Sequence, residues 1–189
     1  VLAGGGTVRL FGINLLVVLV AFALTFSVLV YAREYERLIS VDRPLEELLR
    51  SEQWIRESEL RPDRGEIVVW PKWTEAISTE LESLLGRVAE LGASRYRTVT
   101  MVDTRTPRLQ ELYYHIHLVV YQALASRDFA SMERALDAFA ETNGLDCLKV
   151  WLFGESALVE IKDDSSFMYQ AIGQVKIGDI QICVRFKGP

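Results

Sequence analysis

The sequence predicts an α+β fold: one N-terminal transmembrane helix, an amphipathic stalk helix, then a domain of order β-α-β-α-α-β-β-β-β that closes in a C-terminal antiparallel meander. Three observations carry this expectation. Residues Leu10 to Ala32 hold no charged side chain, apolar residues recur at helical spacing through much of residues 33–143, and after Gly144 the apolar period switches to two.

The first element is the anchor. Residues 1–9 read as a short flexible tail with Gly4, Gly5 and Gly6, and residues 10–32 as the transmembrane helix, with Leu10, Phe11, Leu15, Leu16, Phe22, Phe26, Leu29 and Tyr31 as its lipid-facing bulk. At about 1.5 Å per residue this run measures roughly 34 Å, enough to cross a hydrocarbon core of about 30 Å. A soluble core helix needs a polar face, and this one offers only Asn14, Thr25 and Ser27. A cleaved signal peptide is the competing reading, because Val30 and Ala32 stand at the right spacing before Arg33, but the apolar run is longer than a signal core needs. Arg9 flanks one end, whereas Arg33, Arg37, Arg43 and Arg50 follow the other. This bias favours a single-pass topology with the domain on the cytoplasmic side.

Residues 33–60 read as a juxtamembrane stalk. Asp42 and Pro44 mark a helix start, and Leu45, Leu48, Leu49 and Ile55 recur opposite Glu46, Glu47 and Arg50. Residues 61–65, Arg-Pro-Asp-Arg-Gly, read as a linker, with the domain over 66–189.

Within the domain, Ile67 to Trp70 predicts a strand ended by Pro71. Next comes a helix from about Trp73 to Leu91, with Ile77, Leu81, Leu84, Leu85 and Val88 buried and Gly92 as its stop. Tyr96 to Val102 alternates as a strand does. Residues 106–126 fit two periods. A strand would align Tyr113, His115, His117, Val119 and Tyr121, whereas a helix would stack Leu109, Leu112, Ile116, Val119 and Ala123. Thr106 before Pro107 is a cap followed by a first turn, and the segment is longer than an ordinary strand, so helix is favoured. A second helix, with Met132, Leu136 and Phe139 inward, ends near Asn143-Gly144. Four strands follow: Cys147 to Phe153, Leu158 to Lys162, Met168 to Ile177 and Ile180 to Phe186, the last two joined at Gly178-Asp179. The inner β-α-α-β-β run resembles the element order of polypeptide-transport-associated domains of envelope assembly proteins, a likeness that carries no functional residue across.

The chain has a net charge of −5, and every Asp and Glu lies beyond residue 32, so nucleic acid is not an expected partner. The only histidines, His115 and His117, would share a metal only on a strand, since residues two apart on a helix diverge. No cofactor is expected. Gly154-Glu155-Ser156 lacks the final glycine of a nucleophile elbow and reads as a turn. Arg95, Arg97, Arg105 and Arg108, with Tyr96 among them, form the densest basic stretch and a candidate interaction surface. Trp70 and Trp73 around Pro71 are candidate interface anchors. Together these features predict a membrane-anchored protein-interaction module, a subunit or assembly factor of a larger membrane complex, whose partners are the bilayer and other proteins. A membrane-tethered small-molecule sensor is the alternative reading, and a metal-dependent hydrolase using the two histidines is the third.

Overall fold

The computed structural model of the chain describes residues 9–10, 13–91, 94–164 and 166–186. The expected tail glycines 4–6, the anchor residue Phe11 and the helix stop Gly92 lie outside the described residues. The chain divides into two compact units, Val1–Pro44 and Leu45–Pro189.

In the first unit, β1 (Arg9–Leu10) pairs antiparallel with β2 (Ile13–Asn14), and α1 follows over Leu15–Arg37. The helix therefore starts later than residue 10, and Leu10 belongs to a strand. Asn14, a poor helix former, immediately precedes the first helical residue. Leu16, Phe22, Phe26, Leu29 and Tyr31 are all more than half exposed. Two polar side chains within its apolar stretch are satisfied by the helix itself: Thr25 Oγ1 donates to the Ala21 carbonyl at 2.9 Å and Ser27 Oγ to that of Ala23 at 2.8 Å. By length and composition this helix can cross a membrane, a property it shares with signal sequences. A π-helical segment, Leu38–Asp42, comes next. Pro44 lacks the N–H that would bond the Ser40 carbonyl, which favours a local widening of the helix here.

The stalk expected over 33–60 is not one element. Arg33 to Arg37 continue α1, and α2 spans Arg43–Ser51, with Leu45 and Leu49 fully buried. Residues from Ile55 onward form a strand, β3 (Ile55–Arg61), antiparallel to β4 (Glu66–Pro71). The expected linker is the turn of that hairpin. Gly65 sits at φ +61°, and a Cβ there would come within 2.5 Å of the Arg95 carbonyl oxygen, so glycine is required on both counts. Polar Arg56, Glu57, Ser58 and Glu59 disguise β3, because only one side of an outer strand needs apolar residues.

The helix α3 (Ile77–Glu90) buries the five expected residues and returns the chain to β5 (Thr98–Asp103), parallel to β4. Two helices come next, α4 (Pro107–Ser126) and α5 (Phe129–Asn143). The period that was ambiguous over 106–126 resolves as helix, with Thr106 Oγ1 accepting from Leu109 N at 3.3 Å. The remaining strands are β6 (Cys147–Phe153), β7 (Ser156–Lys162), β8 (Phe167–Ile172), β9 (Lys176–Ile177) and β10 (Ile180–Phe186).

These strands do not form one meander. β6-β7-β8 form one antiparallel sheet, and β9 and β10 pair antiparallel across Gly178-Asp179 as expected, but the other edge of β10 pairs parallel with β5, placing that hairpin in a second sheet of order β3-β4-β5-β10-β9. The expected strand Met168 to Ile177 breaks at Gly173, which adopts φ +75° and separates β8 from β9. The likeness to a β-α-α-β-β domain stops at the same point, since β5, before the two helices, lies in the other sheet. The α4–α5 hairpin packs on the three-stranded sheet through a core that includes Leu109, Ile116, Val120, Leu136, Val159 and Ile161. Val120, rather than Val119, completes the buried stripe of α4, and Phe139 of α5 is partly buried.

Two buried carboxylates brace the sheets. Glu66 of β4 accepts from Thr100 Oγ1 and lies 3.5 Å from Arg61 and 3.4 Å from Arg185, so one side chain ties β3, β4, β5 and β10 together. Asp103, at the end of β5, takes two bonds from Arg105, at 2.9 and 2.8 Å, and one from the backbone N of Tyr169 at 2.9 Å. Arg105 in turn donates to Tyr169 O and Gln170 Oε1, both at 2.8 Å. This clamp joins β5 to β8 across the two sheets.

Candidate functional site

The residues proposed from sequence fall on several elements. Arg95 and Arg97 precede β5 rather than lying within it: Arg95 rests over the Tyr96 ring at 5.2 Å, and Arg97 is exposed while its backbone bonds Gly65 and Gln181. The guanidinium of Arg105 is committed to the clamp on Asp103 and β8. Arg108, in the first turn of α4, donates to the Asn143 carbonyl at 3.2 Å and so caps the end of α5. Trp70 is half-buried on β4, and the Trp73 ring lies under the ammonium of Lys162 at 4.3 Å, a cation–π contact. His115 is exposed. His117 Nδ1 lies 2.6 Å from the Tyr114 carbonyl, and its ring packs among Tyr113, Tyr114 and Tyr121. Among the described residues no group of three or more His, Cys, Asp or Glu is placed to hold a metal.

The three-stranded sheet offers a different kind of site. On its α-helical face, Leu148 and Val150 of β6 pack against the core under α5. On the opposite face, Lys149 is in register with Glu160, and Glu160 with Tyr169. Glu160 is fully buried, and burial raises its carboxyl above the usual range even though Trp151 Nε1 donates to it at 3.2 Å. Burial likewise raises the Tyr169 phenol and the Cys147 thiol. A thiol shifted this way stays protonated and is a poor nucleophile. Cys147 and Cys183 are both free, one in each sheet.

The edge of the sheet is where these elements meet open surface. β6 bonds only to β7; among the described residues no strand pairs with its other edge. Alongside that edge runs a groove of 320 Å³ between α5 and β6, floored by Phe129, Met132 and Leu136 of α5 and by Leu148, Val150 and Trp151 of β6. Glu133 and Asp137 of α5 line it as well, with Lys149 on the strand. The arrangement presents backbone hydrogen-bonding groups, apolar depth and charge within one short stretch.

Reading the sequence for clusters of charge and tryptophan overlooked this edge. One signal was present: Lys149 interrupts the apolar run Cys-Leu-Lys-Val-Trp-Leu-Phe, as a charge on an exposed edge strand does when it guards against uncontrolled pairing. Comparison with known protein families, with curated proteins and with solved structures finds no match to the chain.

Proposed function

We propose that the chain is a single-pass, membrane-anchored protein-interaction module, a subunit or assembly factor of a larger membrane complex, with its folded unit on the cytoplasmic side. The observation that carries the reading is the β6 edge, an apolar strand with no partner on one side among the described residues, beside a groove of mixed apolar and charged lining. Unpaired strand edges invite pairing with another chain, and proteins that keep one accessible commonly use it for recognition. The anchor supports the same reading. Its apolar side chains are exposed along α1 and the Thr25 and Ser27 hydroxyls are bonded internally, an arrangement suited to acyl chains. Holding the module at a membrane also raises its effective concentration toward a membrane-bound partner, so a modest contact suffices.

The test places a photo-crosslinking amino acid at Leu152, exposed on β6, or at Glu82, exposed on α3, in the full chain within its native membranes. Adducts of defined mass are expected from position 152 and not from position 82. A protein that stays monomeric in mild detergent and forms no adduct from either position refutes the module. Alkaline extraction of the same membranes tests the anchor, and release of the intact chain into the aqueous fraction would remove it.

A further inference from the structure

We infer that the α5–β6 groove takes an extended segment of a partner protein, added as a fourth strand beside β6, whose α5-facing side chains alternate apolar residues with a central Lys or Arg. The inference rests on the interaction-module reading and names the partner's chemistry.

A segment laid along β6 satisfies the unpaired backbone of that strand and places every second side chain over the α5 side of the sheet. There the apolar positions meet Phe129, Met132 and Leu136. Glu133 and Asp137 stand one helical turn apart on the exposed side of α5, both lining the groove, and neither has an ion-pair partner among the described residues. A basic side chain between the apolar ones complements both carboxylates, whereas an acidic one meets two like charges.

The same charges argue against a second copy of this chain as the occupant. Two β6 strands paired about a two-fold axis form one continuous sheet with both α5 helices on the same face. The carboxylates of Glu133 and Asp137 would then approach those of the other copy. Lys149 also lines the groove, but one ammonium against two carboxylates leaves each copy's groove with the same net negative charge.

The probe is a capped peptide seven residues long, the length of β6, alternating Thr and Val with Lys at the central α5-facing position. A second peptide carries Glu at that position. Each is titrated into the full-length protein in detergent micelles, and amide hydrogen exchange is followed along the chain. The Lys peptide is expected to slow exchange in residues 147–153 and leave 107–126 unchanged, and the Glu peptide to bind at least about fivefold more weakly. The double variant Glu133→Lys/Asp137→Lys, altered only at exposed positions, is expected to reverse that preference. Protection confined to α4, no protection by either peptide, or β6 protection that rises with protein concentration without peptide would each overturn the inference, the last in favour of a second copy. These outcomes read the groove alone. The crosslinks from position 152 read whether a partner exists in membranes, so a failure of one reading is told apart from a failure of the other.

Discussion

β6 and β7 are neighbouring seven-residue strands of one sheet, yet their surroundings are opposite. In β7, Ala157, Leu158, Val159, Glu160 and Ile161 are all at 0% exposure. In β6, which is the more apolar by sequence, Lys149 and Leu152 are exposed and the other five residues are only half-buried. Composition therefore did not set burial. β7 has a strand on each edge and α4 on one face, whereas β6 has one neighbour and α5 beside it. An apolar strand with a charge beside its midpoint thus lies at the rim of the sheet.

The two outer strands of that sheet differ as well, and the largest expected effect tests that difference. β8 is clamped to β5 through Asp103 and Arg105, whereas β6 has β7 and α5 as its main neighbours among the described residues. Asp103→Ala strands an almost buried guanidinium and orphans the Tyr169 N–H, so chemical denaturation should show a loss of about 3–5 kcal/mol. Next in size, Ile161→Ala in β7 empties a fully enclosed site and should cost about 2–5 kcal/mol, against less than about 0.5 kcal/mol for Leu152→Ala in β6. Equal losses at the two positions would mean that the β6 edge is covered in solution.

Glu160 sharpens the comparison through pH. Its carboxyl is raised above the ordinary value of 4.5 by burial, so the folded chain holds that proton more tightly than the unfolded chain. Its contribution to stability is complete below about 4.5 and is lost as pH rises through the elevated folded value. Glu160→Gln should therefore gain in melting temperature relative to the parent as pH increases from 4 toward 7. A constant gap between the two proteins would show that the carboxyl titrates normally. The smallest effect on stability is expected from Lys149→Val, which should leave the unfolding free energy within about 0.5 kcal/mol. It should nevertheless promote self-association in sedimentation experiments, because the charge guarding the edge is gone.

Parts of this architecture were legible in the residue pattern and parts were not. The five buried positions of α3 and the Thr106 cap of α4 follow from local rules, a helical period and a side chain that accepts a bond three residues on. β3 was unreadable because a polar outer strand lacks a clean alternation, and Pro62 to Gly65 mark a tight turn as readily as a linker. Arg105 looked like a partner-binding group because nothing in the sequence shows that Asp103 and Tyr169 close around it. The edge groove was hidden for a related reason: Met132 and Leu136 read as core, which they are, and their position under an open strand depends on which strand lies over them.

The sequence by itself determined the long uncharged helix, the amphipathic faces of α3, α4 and α5, and the strand-forming runs after Gly144, since each depends on side-chain spacing within a single segment. Only the tertiary structure decided that the β9–β10 hairpin would join β5 rather than β8, that Asp103 and Arg105 would clamp two sheets, and that β6 would end at an open edge. Backbone hydrogen bonds are the same for every strand, so the choice among partners is made by how whole faces pack.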